Sequence, residues 1–487
     1  MRLNYKIILR TISIILLIVG IAMLFPMVCA VYMEEYVPAQ GFFFSSICCI
    51  GLGALGRRFS NYNTIRIKSA ESYLITFISW LTVCITGVVP YMLSGCGYTL
   101  SDAILESVSG WTTTYASVFD IATLPVSVVL WKSITNWLGG MGLLLLAVSF
   151  FSVLGAEGQK IANAEVSGTA FEKLSSKTNQ TISISYMVYI AMTSVEFLLL
   201  LPTDLSFIEA LINTLSTIST AGFLNVNNCI VLHLTSYTKI IFAGFSVVGA
   251  INLLMFYYLF TGKWRKVVSN VELKYFLLLI IVGGTIITAS LYMHGDYSFL
   301  KCMENGFAQA IGYSSTSGFY VDDLNQWPTI AKLVLMILVI CGGCGNSTSG
   351  SIKVIRAIIF VKLIKRGIFK RIHPRAVKPV MLNDSPVSTT TASNVTVFIL
   401  LYFAVFVVGS IILSLENKDM ETTFFTTLAC ITNNGTGFGK IINGDYSIFS
   451  AFGRSFAAFL MLAGRLEFYA IIMLFSPSFW NSDRVHS

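Results

Sequence analysis

Four short polar runs in an otherwise apolar chain carry the residues that could bind a cation. The runs are TTTYASVF (residues 112–119), STAGF (219–223), STSGF (315–319) and TNNGTGFG (432–439). Each offers hydroxyl or amide oxygens beside backbone carbonyls, which together can replace the hydration shell of a cation. Polar backbone is costly at membrane depth unless it is buried in protein or lines a water-filled path. Four such runs therefore predict four walls of a single pore.

Each polar run must be positioned by helices, and the same arrangement recurs around all four. A long apolar outer helix, a short helix, the polar turn and a long apolar inner helix follow one another in every unit. The predicted outer helices cover 72–93, 181–201, 273–293 and 394–415, the short helices 101–109, 206–215, 298–311 and 420–431, and the inner helices 124–154, 237–260, 329–365 and 448–475. The turns fall at 115, 222, 318 and 435, which indicates an internal repeat of roughly 100 residues.

The short helices are too brief to cross a membrane. A span of about 30 Å of hydrocarbon needs about 20 helical residues, so each short helix must enter and return on the same side. The partial negative charge at its C-terminal end favours a cation at the turn. Ordinary extracellular loops after capped helices are the alternative, because Thr, Ser and Gly are common turn residues. Four occurrences at matching places in the repeat disfavour that alternative.

The composition is that of a polytopic membrane protein. Of the 487 residues, 55% are hydrophobic and 11% are charged, whereas soluble proteins carry about 25% charged residues. The net charge of +8 does not indicate a nucleic-acid partner, because the basic residues gather in loops between apolar runs, most densely in 353–378. The opposite loops are mainly acidic, which places the basic loops and the N-terminus in the cytoplasm. The first apolar run, 7–31, could be a cleaved secretory signal. A second apolar run at 41–56 follows at once, which favours an uncleaved signal anchor that forms a hairpin with the second run.

A glycine-rich stretch, CGGCGNSTSGS (341–351), interrupts the third inner helix. Glycine costs about 1 kcal/mol in a helix interior, so its four glycines predict a break near the membrane centre, with a mere kink as the alternative. The other inner helices are expected to lack a comparable break. Cys341 and Cys344 have metal-site spacing, but no His or further Cys neighbours them in sequence, so no transition-metal site is predicted.

Arg465 lies within the apolar run FLMLAGRLEFYAII. A charged side chain inside a membrane segment is a functional hypothesis by default. We expect it to bind carbonyls or hydroxyls of residues 342–351. The alternatives are a salt bridge to Glu467 or snorkelling toward the membrane surface.

The sequence disfavours two other classes of function. An intramembrane enzyme would need paired carboxylates, a Ser–His pair or metal ligands at depth, whereas His233, His294, His373 and His486 all lie in loops, and no catalytic residue is predicted. A non-transporting scaffold would carry costly polar turns without purpose. The chain has no P-loop or GxGxxG motif, so any nucleotide would sit on a partner.

These features resemble the TrkH/KtrB/HKT superfamily of potassium transporters, and its TrkH branch in particular. The resemblance covers nearly the whole chain and rests on the repeat, the N-terminal hairpin and the motifs SGWTTTYAS, TNNGTGFG, CGGCGNSTSGSIKVIR, IHPRAVKPV, MLAGRLEFY and LFSPSFW. It implies an all-α membrane fold in which the hairpin and four outer helix–pore loop–inner helix units surround a central cation path in pseudo-fourfold arrangement. The implied boundaries are 1–68 for the hairpin and linker, then 69–160, 161–270, 271–380 (with the intramembrane loop 341–351) and 381–487.

The resemblance also implies a function and its residues. The function is potassium uptake across the cytoplasmic (inner) membrane by the ion-translocating subunit of a Trk-type system, with K⁺ as the transported ion and no cofactor bound by this chain. The implied selectivity filter comprises Thr113, Thr114, Tyr115, Thr220, Ala221, Gly222, Thr316, Ser317, Gly318, Asn433, Asn434 and Gly435. The implied gate comprises Gly342, Gly343, Gly345, Asn346, Ser347, Thr348, Gly350 and Arg465.

The implied partners are a second copy of the chain, a cytosolic TrkA-like nucleotide-binding regulatory subunit and membrane lipid. Either a symporter or a channel fits the family. Coupling to protons or sodium stays open, because Glu106 and Glu196 are the nearest intramembrane acids and form no evident relay.

Tyr115 departs from the family pattern, which has glycine at this place. A positive φ there would cost a residue with a side chain roughly 1 kcal/mol or more, and superfamily members with Ser at this position are associated with sodium preference. Tyr115 could loosen selectivity, or its ring could point away while its carbonyl faces the ion. A sodium-permeable or weakly selective cation channel or transporter of the same superfamily is therefore the alternative function.

Overall fold

The computed structural model is mostly helical. It describes residues 5–60, 69–142, 178–222, 235–295, 298–376, 379–383 and 385–475. By length and composition, six described helices could each cross a membrane, or seven if one sharply bent pair counts as a single span. The chain is thus an all-α, multi-pass membrane protein, as the sequence predicts.

The N-terminal hairpin consists of α1 (Tyr5–Ala22), α2 (Leu24–Tyr32) and α3 (Tyr36–Phe59). Glycines let its arms approach closely: a Cβ on Gly20 would lie 2.7 Å from Ile50 Cγ1. Between the arms, the Glu35 carboxylate accepts hydrogen bonds from the Val126 N–H (2.7 Å) and the Ser127 N–H (3.1 Å). These are free N–H groups at the start of the first inner helix, so Glu35 anchors the hairpin to the first repeat unit.

The helices of the four repeat units follow in chain order. The first unit has α4 (Ser69–Leu93), α5 (Leu100–Trp111) and α6 (Val126–Gly140); the second has α7 (Thr178–Leu200), α8 (Phe207–Ile218), α9 (Ser236–Ala250), α10 (Leu253–Phe260) and α11 (Trp264–Val268). The third has α12 (Val271–His294), α13 (Phe299–Ser314), α14 (Thr329–Cys341) and α15 (Val354–Ile372); the fourth has α16 (Thr389–Leu413), α17 (Met420–Thr432), α18 (Ala451–Arg465) and α19 (Tyr469–Phe475). Two short antiparallel strands, β1 (Met381–Leu382) and β2 (Ser385–Pro386), precede α16.

The four short helices are α5, α8, α13 and α17, and polar side chains cap the first, second and fourth of them. Thr99 and Ser206 form capping boxes with Asp102 and Glu209 at the starts of α5 and α8. At the start of α17, the Asp419 carboxylate accepts the Thr422 N–H at 2.9 Å. Such caps satisfy free N–H groups that begin a helix. The C-terminal halves of the short helices are buried at the centre of the fold.

The inner helices do not match the prediction that only the third is broken. In the second unit the inner helix stops at Ala250 and resumes at Leu253 after a bend of 99°. In the fourth it stops at Arg465 and resumes at Tyr469. That prediction is therefore wrong, because two further inner helices are broken.

Different residues produce these additional breaks. Asn252 starts α10 by accepting the Leu254 N–H on its side-chain oxygen at 3.0 Å, whereas Glu467 and Phe468 adopt left-handed backbone, with φ of 54° and 62°. In the first unit α6 ends at Gly140, and the remainder of the predicted helix 124–154 lies beyond 142, outside the described residues. The third break runs from 342 to 353, two residues beyond the predicted limit.

Candidate functional site

All four polar turns share one backbone conformation at the end of their short helix. The residue that ends the helical path is left-handed in each case, with φ of 55° at Thr113, 55° at Thr220, 57° at Thr316 and 58° at Asn433. The next N–H then bonds back to a carbonyl five residues earlier: Thr114 to Ser109 (2.8 Å), Ala221 to Ser216 (2.9 Å), Ser317 to Gly312 (2.9 Å) and Asn434 to Ala429 (3.0 Å). This is the way in which helices commonly end on a left-handed residue. The repeat predicted from sequence is therefore reproduced in local geometry.

The first turn differs from the others at its fourth residue. Gly222, Gly318 and Gly435 have φ of 81°, 71° and 83°. Tyr115 is not among the residues with positive φ, so the left-handed strain expected there is absent and that expectation is wrong. Instead, the Ala116 N–H donates to the Thr114 carbonyl oxygen at 2.8 Å, which closes a three-residue turn around Tyr115.

The four turns contact one another in cyclic order, and the glycines make these contacts possible. A Cβ on Gly222 would lie 2.6 Å from the Ser317 carbonyl oxygen in the third turn. A Cβ on Gly318 would strike the Asn434 carbonyl in the fourth turn, and one on Gly435 would strike the Tyr115 backbone in the first. The cycle of four turns is closed by Tyr115 of the first turn, whose aromatic side chain packs against Gly222 of the second. Turns one and three thus each touch turns two and four, and Gly318 of turn three also faces the Tyr115 Cβ of turn one.

The turns present a buried, oxygen-rich and uncharged surface. The residues of the implied selectivity filter are all buried except Tyr115, which is half-buried. The first and fourth turns are also linked directly, because Asn433 Nδ2 donates to Thr114 Oγ1 at 3.2 Å across 319 residues of chain. Among the described residues, no donor reaches the side-chain oxygens of Asn433 and Asn434. Buried oxygens are normally hydrogen-bonded, so this arrangement fits a site that binds cations.

The loop between α14 and α15 (342–353) lies directly against three of the turns. Thr348 Oγ1 is 3.2 Å from Thr220 Oγ1 in the second turn. The Gly350 N–H donates to Thr316 Oγ1 in the third turn at 2.8 Å, and the Gly350 Cα packs against the Thr432 carbonyl that precedes the fourth turn. The loop therefore crosses the ends of the short helices.

Three residues of the loop, Cys344, Asn346 and Thr348, bind the break in the second inner helix. The contacts are Thr348 Oγ1 to the Gly249 carbonyl (3.0 Å), the Cys344 N–H to the Ala250 carbonyl (2.8 Å), Asn346 Nδ2 to Asn252 Oδ1 (3.2 Å) and the Leu253 N–H to the Asn346 carbonyl (3.3 Å). Gly342, with φ of 66°, ends α14, while Gly343 accepts the Val354 N–H at 2.9 Å. The hydroxyl oxygens of Ser347 and Ser349 are 2.8 Å apart. Every residue of the implied gate thus lies in one hydrogen-bonded layer below the turns.

Arg465 joins this layer to the first unit. Its guanidinium donates to the Thr348 carbonyl at 2.8 Å and to the Gly139 and Gly140 carbonyls at 2.7 and 2.6 Å. The last carbonyls of a helix carry partial negative charge, and Gly139 and Gly140 end α6. Glu467 pairs with Arg356 instead, through contacts of 3.0 and 2.6 Å. Arg465 therefore binds a carbonyl of the loop, as predicted, and the alternative salt bridge to Glu467 does not form.

The family model for TrkH, described as a cation transport protein, matches residues 38–483 of this chain. The chain belongs to the TrkH family. Two relatives are similar over nearly their whole length. The Trk system potassium uptake protein TrkG of Escherichia coli is 30% identical, over 95% of this chain and 96% of the relative. The Trk system potassium uptake protein TrkH of Halomonas elongata is 27% identical, over 98% and 100%.

A solved structure shows the same fold. The crystal structure of the potassium transporter TrkH from Vibrio parahaemolyticus matches with a TM-score of 0.88, covering 98% of this chain and 100% of that one at 23% identity. The resemblance read from the motifs is therefore confirmed, and the fold of the TrkH family accounts for the helices described above.

Three charged residues of this TrkH family member were missed by sequence reasoning. Lys132 pairs with the buried Glu106 behind the first turn. The Glu272 carboxylate accepts the Gly345 N–H at 2.7 Å, and the buried Lys353 donates to the Ser349 carbonyl. Lys132 could have been found, because it is the lone charge in the predicted apolar helix 124–154.

Proposed function

We propose that this chain takes up potassium across the cytoplasmic membrane as the ion-translocating subunit of a Trk-type system. The observation that carries the proposal is the closed cycle of four turns, in which each glycine faces the backbone of the next turn. Rings of backbone carbonyls can replace the hydration shell of a cation. Both named relatives are potassium uptake proteins of Trk systems, which supports K⁺ as the transported ion.

Selectivity is assigned in this proposal to residues 113–115, 220–222, 316–318 and 433–435. Their carbonyl, hydroxyl and amide oxygens would bind the dehydrated ion, and the C-terminal ends of α5, α8, α13 and α17 would add partial negative charge from four sides. A bound cation needs no carboxylate here, because several dipoles converge on one position.

The layer formed by 342–353 and Arg465 is assigned the role of gate. Its position against three turns would obstruct the path from the inner side. The fixed positive charge of Arg465 would repel a cation leaving the turns. Opening would then require the loop to release Thr348 from Gly249 and from Arg465, which are bonds of 3.0 and 2.8 Å.

The proposal includes an N-terminus in the cytoplasm of the cell, a homodimer and a TrkA-like nucleotide-binding subunit on the cytoplasmic side. Lys365, Lys370 and Arg371 of α15 are exposed and would meet that subunit or anionic lipid. The chain itself would bind no cofactor and no nucleic acid. Coupled and passive transport both fit this arrangement.

A sodium-permeable or weakly selective transporter is the second candidate, and Tyr115 favours it. The first turn follows a different backbone path from the other three, and its Thr114 carbonyl already accepts an internal hydrogen bond. One wall of the ring would therefore bind the ion less strongly than its neighbours. A weaker wall reduces the difference in binding free energy between two cations.

Two measurements test the proposal. Expression of the chain with its Trk partner is expected to restore growth of a potassium-uptake-deficient strain at low potassium. In liposomes, the wild type is expected to pass rubidium in preference to sodium, and Tyr115→Gly to raise that preference. Tyr115→Phe, which keeps the ring, serves as the matched control and should behave as wild type. If the wild type and Tyr115→Gly both pass the two cations equally, potassium selectivity is refuted and the second candidate stands.

A further inference from the structure

A buried ion pair lies behind the first turn. Lys132 Nζ of α6 is 2.6 Å from Glu106 Oε2 of α5, and the two side chains are 4% and 1% exposed. Removing two charges from water is costly, and the cost is recovered only if further hydrogen bonds satisfy both groups. The structure provides those bonds, and they all join the pair to the segment that follows the first turn, residues 116–118.

The ion pair binds three consecutive residues after Tyr115. Lys132 Nζ donates to the Ala116 carbonyl at 2.7 Å. Glu106 Oε1 accepts the Ser117 hydroxyl at 2.6 Å and the Val118 N–H at 2.7 Å. Bonds to ionised partners are shorter and stronger than neutral ones. Glu106 and Lys132 together therefore fix the path of the backbone that follows Tyr115.

The same place in the other units carries a neutral polar residue. The positions compared lie nine residues before 115, 222, 318 and 435. They are occupied by Glu106, Asn213, Gln309 and Thr426. In the third unit Gln309 holds the exit of its turn without a charge: its Nε2 donates to the Phe319 carbonyl and its Oε1 accepts the Val321 N–H, both at 3.1 Å. In the fourth unit the Thr426 hydroxyl bonds to Thr422 of its own helix at 2.6 Å.

The first turn has a reason to need a fixed exit. The glycines of the other turns adopt the left-handed φ without cost, whereas Tyr115 takes another path and must still meet Gly222 and Gly435. An exit segment tied at Ala116 and Val118 keeps that path fixed, whether the ties come from a charged pair or from an amide. Because Glu106 neutralises Lys132, no net positive charge is added to the cavity that Lys132 lines with Tyr115, Asp120 and Asp445.

We propose that the Glu106–Lys132 pair positions the first turn and so sets the ion selectivity of the ring. The inference rests on the proposed function, because it concerns the geometry of the same turns. Glu106 and Lys132 are positioning residues: they act through Ala116, Ser117 and Val118 and bind no ion themselves.

Two charge-free double variants test the proposal. In Glu106→Gln/Lys132→Met, position 106 carries the amide that already holds the third turn. In Glu106→Thr/Lys132→Met, it carries the residue of the fourth unit, whose hydroxyl bonds to its own helix. Neither variant leaves an unpaired buried charge, so both are expected to fold as judged by a single size-exclusion peak in detergent. The measurement is the ratio of rubidium to sodium uptake into liposomes.

We expect the Gln variant to keep the wild-type ratio within about threefold and the Thr variant to lower it by about tenfold or more. An unchanged ratio in the Thr variant overturns the proposal. So does a tenfold loss in a folded Gln variant, because charge and not position would then set selectivity. Glu304→Gln, which removes an exposed carboxylate 3.3 Å from Lys239, is the control and should change nothing. A wild type that passes neither cation would instead refute the proposed function.

Discussion

Replacing Gly318 by alanine tests whether the cyclic contact between turns determines transport. Gly318 has φ of 71°, and its added Cβ would lie 2.7 Å from the Tyr115 Cβ and closer still to the Asn434 carbonyl oxygen. The substitution therefore acts on two neighbouring walls as well as on its own. Gly97→Ala is the matched control, because Gly97 has φ of 77° and nothing within 4 Å of its added Cβ.

The magnitudes of the two effects differ. Left-handed backbone costs a residue with a side chain about 1–2 kcal/mol, and both variants bear this cost. Only Gly318→Ala adds steric clashes: its Cβ would lie 2.7 Å from the Tyr115 Cβ and closer still to the Asn434 carbonyl oxygen, whereas ordinary contact begins at 3.4 Å. Binding sites must hold their groups within about 0.5 Å of the productive geometry. Because neighbours on both sides of Gly318 must give way, we expect the turns to be displaced beyond that tolerance.

We expect Gly318→Ala to lower rubidium uptake by more than about tenfold, since 1.4 kcal/mol of lost ion binding suffices for that factor. Gly97→Ala should retain wild-type uptake and lose only the thermal stability that corresponds to the cost of left-handed backbone. Uptake into liposomes and thermal unfolding in detergent measure the two quantities. Equal uptake by both variants would refute the reasoning, because the close contact at Gly318 would then have no bearing on the ion path.

Three further predictions concern the gate, the inner-helix breaks and a helix cap. Arg465→Gln is expected to raise passive rubidium flux by about tenfold or more, since one charge-assisted hydrogen bond is worth about 1.5–3 kcal/mol; an unchanged flux would contradict the assigned gate. Arg356→Met should lower the free energy of unfolding by about 2–3 kcal/mol, because it strands Glu467, and chemical denaturation measures this. Asp419→Ala should cost about 1 kcal/mol at pH 7. The Thr422 N–H lowers the pKa of Asp419, so the difference from wild type should persist above the usual aspartate pKa of about 3.9 and vanish as pH falls through the lower folded value; a difference independent of pH would exclude the cap.

The sequence predicts the polar turns and short helices well because their signals are local. Runs of Gly, Thr, Ser and Asn after a helix too short to span the membrane have few other interpretations. The third break is equally visible from its glycines. The breaks after Ala250 and Arg465 are not, because one depends on a single Asn cap and the other on left-handed backbone at Glu467 and Phe468, which bulky residues seldom adopt.

The conformation of Tyr115 lies beyond local reasoning. Whether this residue adopts a positive φ depends on the space left by Gly222, Gly435 and Gly444, which belong to distant parts of the chain. The contacts of Lys132 could not be predicted locally either. Its charge is evident in the sequence, but its partner Glu106 lies on another helix. Local composition thus identifies where the ring forms, and long-range packing determines how its members differ.

The bond between Asn433 and Thr114 has a consequence for biogenesis. Ribosomes add about 5–20 residues per second, so the 319 residues between these partners take about 16–64 s to synthesise. Throughout that interval the first turn has no fourth turn to contact. The cycle of turns therefore closes only when the last unit is delivered, and the first turn lacks its final partner for most of the time of translation.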